Sequence, residues 1–171
     1  MADLPSTLKA ISGKLTASRG DSELLYGRLQ PQAIPLEEAV LGAIMIDKDG
    51  FPSIIEILRK ESFYLDKNQT IFDVMSDLFG KSQPIDLLTV HESLKKTGKL
   101  EGVGGIGYLM DLTNKVGSAA NIEFHARIIA QKFIQRELIR VSTQIIHDSF
   151  EDTKDVLELL DEAERGLYDI T

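Results

Sequence analysis

Residues 118–171 are SAANIEFHARIIAQKFIQRELIRVSTQIIHDSFEDTKDVLELLDEAERGLYDIT, and they are the most informative part of the chain for its architecture. Apolar residues recur at helical spacing in two consecutive segments of it, one on each side of a short polar turn that follows Phe150. Neither segment carries a cluster of side chains suited to catalysis or metal binding. The stretch therefore predicts a long antiparallel pair of helices that serves as an interface rather than as a reaction centre.

The second of these segments has four apolar residues at intervals of four, three and four: Val156, Leu160, Ala163 and Leu167. This spacing is typical of the seam of a coiled coil. The apolar residues of the first segment cover too wide an arc for one narrow stripe, so one hairpin cannot bury both surfaces by itself. We predict an interface between chains at these positions: Phe133, Leu138, Val141, Ile145, Val156, Leu160, Ala163 and Leu167.

The chain before the hairpin is predicted to form a helical head preceded by a tail. Residues 1–30 are rich in Ser, Gly, Lys and Leu and are predicted to be a flexible N-terminal tail. Residues 31–117 carry five shorter helical patterns and form the globular head, while residues 118–171 form the hairpin used for oligomerisation. No segment alternates with a period of two residues. The predicted fold class is all-α, a compact helical head followed by a long antiparallel helical hairpin.

Local signals place the helices of the head. Pro35 suits the first turn of the first helix, and Asp86 is predicted to cap the fourth. The second helix is predicted at about 52–60. Asp66 is predicted to cap the third helix, which ends at a glycine, and the fifth is expected at about 106–114.

The composition excludes several classes of protein. A net charge of −8 disfavours a protein that coats nucleic acid, because neutralising phosphates requires clustered Lys and Arg. The absence of Cys excludes disulfides and thiolate metal sites. No apolar run approaches the roughly 20 residues of a membrane span, and residues 1–20 lack the apolar stretch of a secretory signal. We therefore expect a cytoplasmic protein that does not contact a membrane.

Two glycine motifs resemble nucleotide-binding sequences. Residues 102–107 match G-x-G-x-x-G, with Glu123 about twenty residues on, but that motif requires a preceding strand and here follows a predicted helix. Residues 80–82 resemble the end of a P-loop, whose first glycine would fall at Met75 inside a helix. The histidines share no metal-ligand spacing: His91, His125 and His147. We expect no cofactor, metal ion or catalytic residue in this chain.

A basic stripe supplies the alternative function. Lys132, Arg136 and Arg140 recur every four residues on the first long helix. A small helical domain that binds nucleic acid could use them, although three charges give only a weak, salt-sensitive interaction. Ion pairs across a subunit boundary, or an exposed helix face, are the favoured interpretation of this stripe.

Four sets of short motifs occur along the chain: QAIPLEEAVLG at 32–42; QPID at 83–86 with LT at 88–89; GG at 104–105 with YL at 108–109; and SAANI at 118–122 with RELI at 136–139. In this order and with this spacing they resemble the N-terminal domain of bacterial replicative DNA helicases, the DnaB family. The resemblance covers about residues 31–170 and implies the same head and hairpin.

The resemblance also implies that enzymatic activity and assembly belong to different domains. In that family a RecA-like C-terminal domain binds ATP and Mg²⁺, contacts DNA and unwinds it, and its motifs are not found in residues 1–171. We therefore expect this chain to be a fragment without enzymatic activity. The resemblance implies that hairpins pair into dimers and that three dimers form the collar of a hexamer. It further implies that the collar binds the C-terminal domain of primase and contacts a helicase loader.

Overall fold

The computed structural model describes residues 24–25, 27–47, 49–116 and 119–170. The chain divides into two units, residues 1–30 and residues 31–171. In the first unit, β1 (Leu24–Leu25) and β2 (Arg28–Leu29) form an antiparallel pair. The rest of the predicted tail, apart from Gly27 and Gln30, lies outside the described residues.

The described part of the second unit is helical. Its helices are α1 (Ile34–Ile46), α2 (Phe51–Ile55), α3 (Asp66–Gly80), α4 (Leu87–Lys96), α5 (Gly105–Asn114), α6 (Ile122–Ser149) and α7 (Val156–Tyr168). Short 3-10 turns lie at Lys60–Ser62 and Glu101–Val103. Apart from the two short strands, the predicted fold class is confirmed: a helical head is followed by a long antiparallel hairpin, α6 and α7.

The second helix is shorter than predicted. It ends at Ile55 rather than near residue 60, and a 3-10 turn follows. Both Leu58 and Phe63 are buried in the core. The chain has to leave the helix to bury them both, because a straight helix would place these two residues about 140° apart around its axis.

The predicted cap of the third helix was wrong. Asp66 is the first residue inside α3, and Leu65 occupies the capping position without a side-chain hydrogen bond. The buried carboxylate of Glu37, on α1, lies at this end and accepts a hydrogen bond of 2.7 Å from the backbone N–H of Tyr64. The positive end of a helix stabilises a negative charge, but the N–H group that Glu37 accepts from belongs to Tyr64, which precedes α3, so Glu37 lies near this end without capping it.

The predicted cap of the fourth helix is confirmed. The Asp86 carboxylate accepts hydrogen bonds of 2.9 Å from the backbone N–H groups of Leu88 and Thr89. The Thr89 hydroxyl in turn accepts one of 2.9 Å from the Asp86 N–H. This reciprocal arrangement satisfies backbone donors that the helix cannot pair internally.

The core of the head surrounds α1, which packs against α3, α5 and α6. Val40, Leu41 and Ile44 are fully buried, and α1 is apolar on nearly all sides. Three phenylalanine rings, Phe51, Phe72 and Phe63, form a consecutive series with centroid distances of 5.6 and 4.9 Å. Among the described residues, we find no helix with the length and apolar character needed to cross a bilayer.

Candidate self-association surface of the hairpin

The helix α6 is shared between the head and the hairpin. Its first half buries Ile122, Ala126 and Ile129 in the core of the head, at intervals of four and three residues. Its second half buries Val141 and Asp148 on the side that faces α7. One continuous helix therefore projects from the head and carries α7 on its outer half.

The inner face of α7 consists of small and partly buried residues. Leu159, Ala163 and Gly166 line a groove of about 190 Å³ together with α6 residues, among them Val141. A Cβ placed on Gly166 would lie 3.2 Å from Cγ1 of Val141, so the glycine permits the two helices to approach closely here. This face is occupied by contacts inside the chain.

Polar side chains join the two helices along one side of the groove. The Asp148 carboxylate accepts hydrogen bonds from Gln144 Nε2 at 2.9 Å and from Lys154 Nζ at 3.2 Å. Lys154 also donates to Glu162 at 2.8 Å. Hydrogen bonds from Gln144 and His147 lower the pKa of Asp148, while those to Glu162 and Asp148 raise the pKa of Lys154. The charged forms of Asp148 and Lys154 therefore tie the turn to both helices.

Apolar side chains lie on the opposite side of the hairpin. Each helix contributes three residues at positions i, i+4 and i+11: Ile134, Leu138 and Ile145 on α6, and Val156, Leu160 and Leu167 on α7. We call these six residues the apolar face. Val156 is 69% exposed and Leu160 is 60% exposed. Because the two helices run antiparallel, these stripes lie on the same side of their contact line, away from Gln144 and Glu162.

The structure divides the predicted interface residues into two groups. Leu138, Val156, Leu160 and Leu167 are exposed on the apolar face, whereas Ile145 is partly buried and also lines the groove between the two helices. The others face inward: Phe133 and Val141 are buried within the chain and Ala163 lines the groove toward α6.

One member of the apolar face, Ile134, was not among the predicted interface residues. Its spacing of four residues from Leu138 was the signal that could have identified it. Participation of these residues in an interface remains a prediction.

The three side chains of the basic stripe do not form one surface that is available to a ligand, because each of them donates hydrogen bonds within the chain. The guanidinium of Arg136 is bound inside the chain, where it donates to the carbonyl oxygens of Pro31 and Ser62. Arg140 donates to the Glu137 carboxylate at 2.9 and 3.0 Å. Lys132 Nζ donates to the Gln135 side chain at 3.3 Å. This arrangement does not favour the alternative of a nucleic-acid-binding domain.

The motif residues of the head form a structural network. The Tyr108 hydroxyl donates to Asn68 Oδ1 at 2.7 Å, and Asn68 Nδ2 donates to the buried Glu37 carboxylate at 2.9 Å. Lys115 pairs with Glu38 at 2.8 Å. Burial, followed by the charge of Glu38, raises the pKa of Tyr108 well above its usual value, so this hydroxyl remains a donor. The network joins α1, α3 and α5.

The two glycine motifs lie at helix ends. Gly104 and Gly105 have φ angles of 100° and 68° and connect a 3-10 turn to α5, and what precedes the motif along the chain is α4 rather than a strand. Gly80 is the last residue of α3, as predicted. A helix C terminus presents carbonyl groups and partial negative charge, which is unsuited to a phosphate. Within the described residues, no group of three or more His, Asp or Glu side chains could hold a metal ion.

Comparison with known proteins gives consistent matches. The family model of the DnaB-like helicase N-terminal domain matches residues 29–131. The replicative DNA helicase DnaB of Rhodothermus marinus is 46% identical over 142 residues, which is 83% of this chain and 15% of that protein. The replicative DNA helicase DnaC of Bacillus subtilis is 42% identical over 149 residues, which is 87% of this chain and 33% of that protein.

Two solved structures resemble the fold. The N-terminal domain of DnaB helicase from Mycobacterium tuberculosis superimposes with a TM-score of 0.77 at 34% identity, over 81% of this chain and 98% of that one. A structure of a DnaB-like replicative helicase and its interactions with primase superimposes with a TM-score of 0.65 at 29% identity, over 81% of this chain and 30% of that one. The sequence motifs, the helical head with its hairpin and these matches agree, and the chain belongs to the family of DnaB-like helicase N-terminal domains.

Proposed function

We propose that this chain is the assembly and docking module of a hexameric replicative DNA helicase. Self-association through the hairpin is its first activity, and the observation that carries it is the apolar face. Six apolar side chains on that face are exposed or only partly buried in the single chain, and five of them were predicted as interface residues from the apolar pattern of the sequence. Contiguous exposed apolar surface of this kind marks a site of protein interaction.

A second copy of the same chain is the occupant that the geometry fits best. The two stripes have identical spacing, i, i+4 and i+11, so one hairpin can present its face to an identical hairpin about a two-fold axis. Such an isologous contact closes after two chains. We propose that three such dimers then form the collar of the hexamer.

Docking of partners is the second proposed activity. A solved DnaB-like replicative helicase that resembles this chain is described together with its interactions with primase. By this likeness we propose that the assembled collar binds the C-terminal domain of primase, and that it also contacts a helicase loader. These partners act at the replication fork, so we propose that the protein works in the cytoplasm.

We propose that ATP hydrolysis and unwinding belong to a part of the relatives that this chain does not match. This chain spans 15% and 33% of the length of two replicative helicases that it matches. We propose that ATP, Mg²⁺ and DNA are bound mainly by a domain corresponding to the remainder of those proteins. The residues of this chain then contribute assembly and docking, and neither ATPase activity nor unwinding is expected from them alone.

Molar mass by light scattering tests the first activity. We expect the mass to rise from about one chain toward two or six as the concentration increases, by mass action. A strict monomer at millimolar concentration would contradict self-association through the hairpin. Calorimetric titration with a primase C-terminal fragment tests the second, and absence of heat at several temperatures would exclude that partner.

A further inference from the structure

Arg136 lies where α6 passes from the head to the free part of the hairpin. Phe133, one turn before it, is buried and is covered by the Arg59 guanidinium at 4.7 Å from its ring centroid. Val141, after it, is buried on the side that faces α7. Arg136 therefore lies between the part of α6 that packs against the head and the part that packs against α7.

The guanidinium of Arg136 is held by two separate segments of the head. Its Nη1 donates to the carbonyl oxygen of Pro31 at 2.8 Å, and its Nη2 donates to the carbonyl oxygen of Ser62 at 2.7 Å. Pro31 leads into α1, and Ser62 ends the 3-10 turn before α3. Burial lowers the pKa of Arg136, and the charge of Glu37 opposes this shift. One side chain thus ties α6 to two distant parts of the sequence.

We propose that Arg136 is a positioning residue that sets the direction in which the hairpin leaves the head, and thereby the distance between the heads of two associated chains. The second part rests on the self-association proposed above. The planar guanidinium group of arginine donates two hydrogen bonds in a fixed relative geometry, which the single ammonium group of a lysine cannot reproduce. From Arg136 to Ser149 the helix extends about 20 Å, so a tilt of about 10° moves its end by about 3 Å.

A distance measurement within one chain tests the first part. The sequence contains no Cys, so spin labels can be attached at Lys96→Cys on α4 and Ser149→Cys at the end of α6. The measurement uses the Leu160→Asp background, in which the chain is expected to be monomeric. Double electron–electron resonance should give one narrow distribution with Arg136 present. Arg136→Met should broaden it by roughly the 3 Å of the lever arm, and Arg136→Lys by less.

The control is Arg140→Met, one turn further along α6, where the arginine is exposed and pairs with Glu137 of the same helix rather than with the head. It should leave the distribution unchanged. A purely structural role for Arg136 would lower the melting temperature of Arg136→Met or Arg136→Lys without broadening the distances, and that result would overturn the proposal. Circular dichroism of each variant verifies that it is folded, and Arg136→Lys decides the case if Arg136→Met does not fold.

A distance between chains tests the second part. A single label at Lys96→Cys, with Leu160 restored, reports the separation of the two heads in the dimer. We expect one narrow maximum that broadens in Arg136→Met while the proportion of dimer stays the same. An unchanged separation refutes the second part. A chain that stays monomeric refutes self-association and the second part together, whereas the distances within one chain still decide the role of Arg136.

Discussion

The backbone of Gly42 on α1 touches the carbonyl oxygen of Leu112 on α5, and a Cβ at residue 42 would overlap that oxygen. The same Cβ would lie 2.8 Å from Cγ2 of Val116. Both helices belong to the core of the head, and neither backbone can move without disturbing it. The φ angle of Gly42 is ordinary for a helix, so backbone conformation does not require a glycine here. Glycine is required because a side chain would not fit between the two helices.

Gly42→Ala should destabilise the head. We expect a loss of about 1–3 kcal/mol in the free energy of unfolding, because the clash is with backbone and overpacking forces the helices apart. Urea denaturation followed by circular dichroism measures it. Gly80→Ala is the matched control, since its Cβ would meet nothing within 4 Å. Equal stability of the two variants would contradict the close approach of α1 and α5.

Ser82→Gly should stabilise the protein. Among the described residues, Ser82 is the one non-glycine residue with a positive φ, at 54°. Its N–H and that of Gln83 donate to the carbonyl groups of Phe79 and Leu78, which closes the C terminus of α3. Glycine occupies this conformation without the steric cost of a Cβ, so we expect a gain of about 0.5–1 kcal/mol.

The melting temperature of Ser82→Gly should rise by about 2–4 °C for each kcal/mol gained in a chain of this size. The same change at Ser76, inside α3, serves as the control and should be destabilising by about 0.5–1 kcal/mol, since glycine is unfavourable within a helix. A lower melting temperature for Ser82→Gly would show that residue 82 does not adopt the left-handed conformation.

Leu160→Asp should prevent self-association without unfolding the chain. Leu160 is 60% exposed in the single chain, so the change costs little there, whereas a charge buried at the centre of an interface is strongly unfavourable. We expect the dimer to weaken by at least about 2 kcal/mol, a roughly thirtyfold increase in Kd. Light scattering gives the mass, and circular dichroism verifies the helix content.

Leu88→Asp is the control for this experiment. Leu88 lies on α4 in the head and is 69% exposed, so the chemical change and the exposure are matched while the location differs. Its dimer should have an unchanged Kd. An unaltered mass for Leu160→Asp with normal helicity would place the interface elsewhere.

Asp148→Asn should reduce the loss of stability in acid. Hydrogen bonds hold the pKa of Asp148 below that of the unfolded chain, which is about 3.9. Its contribution is therefore present above about pH 4 and is lost as the pH falls through the lower, native pKa. The difference in melting temperature between the original chain and Asp148→Asn should be large at pH 7 and should shrink toward pH 3.

Thermal melts recorded by circular dichroism between pH 3 and pH 7 measure this difference. Glu164→Gln removes an exposed carboxylate from α7 and is the control, with melts that should follow those of the original chain. A gap between Asp148→Asn and the original chain that stays constant with pH would show that the ionisation of Asp148 does not support the hairpin.

Local signals in the sequence were reliable where the partner was also local. Asp86 was identified as a cap because its partners, Leu88 and Thr89, are two and three residues away. The cap predicted at Asp66 was wrong because Asp66 lies inside the helix, and the carboxylate near that end belongs to Glu37, which is 27 residues from its donor Tyr64. Sequence spacing carries no information about such a distant partner.

The same limit applied to the candidate surface. The sequence pattern showed that α6 has too many apolar positions for one stripe. It did not show which of them contact the head, which contact α7 and which lie on the apolar face. Phe133, Val141 and Leu138 have similar apolar character, and their different burial depends on what packs against each side of the helix. Likewise, the spacing of Arg136 in a basic stripe gave no sign of the Pro31 carbonyl that it binds, 105 residues away.

The all-α class, the hairpin, most of the helix ends and the family could be predicted from the sequence, because helical period, capping and short motifs are local properties of the chain. The folded structure was needed to show which apolar residues remain exposed on the hairpin, why Gly42 must be glycine and what Arg136 binds. Those properties depend on contacts between residues far apart in sequence, whose positions are set by the packing of the core rather than by spacing along the chain.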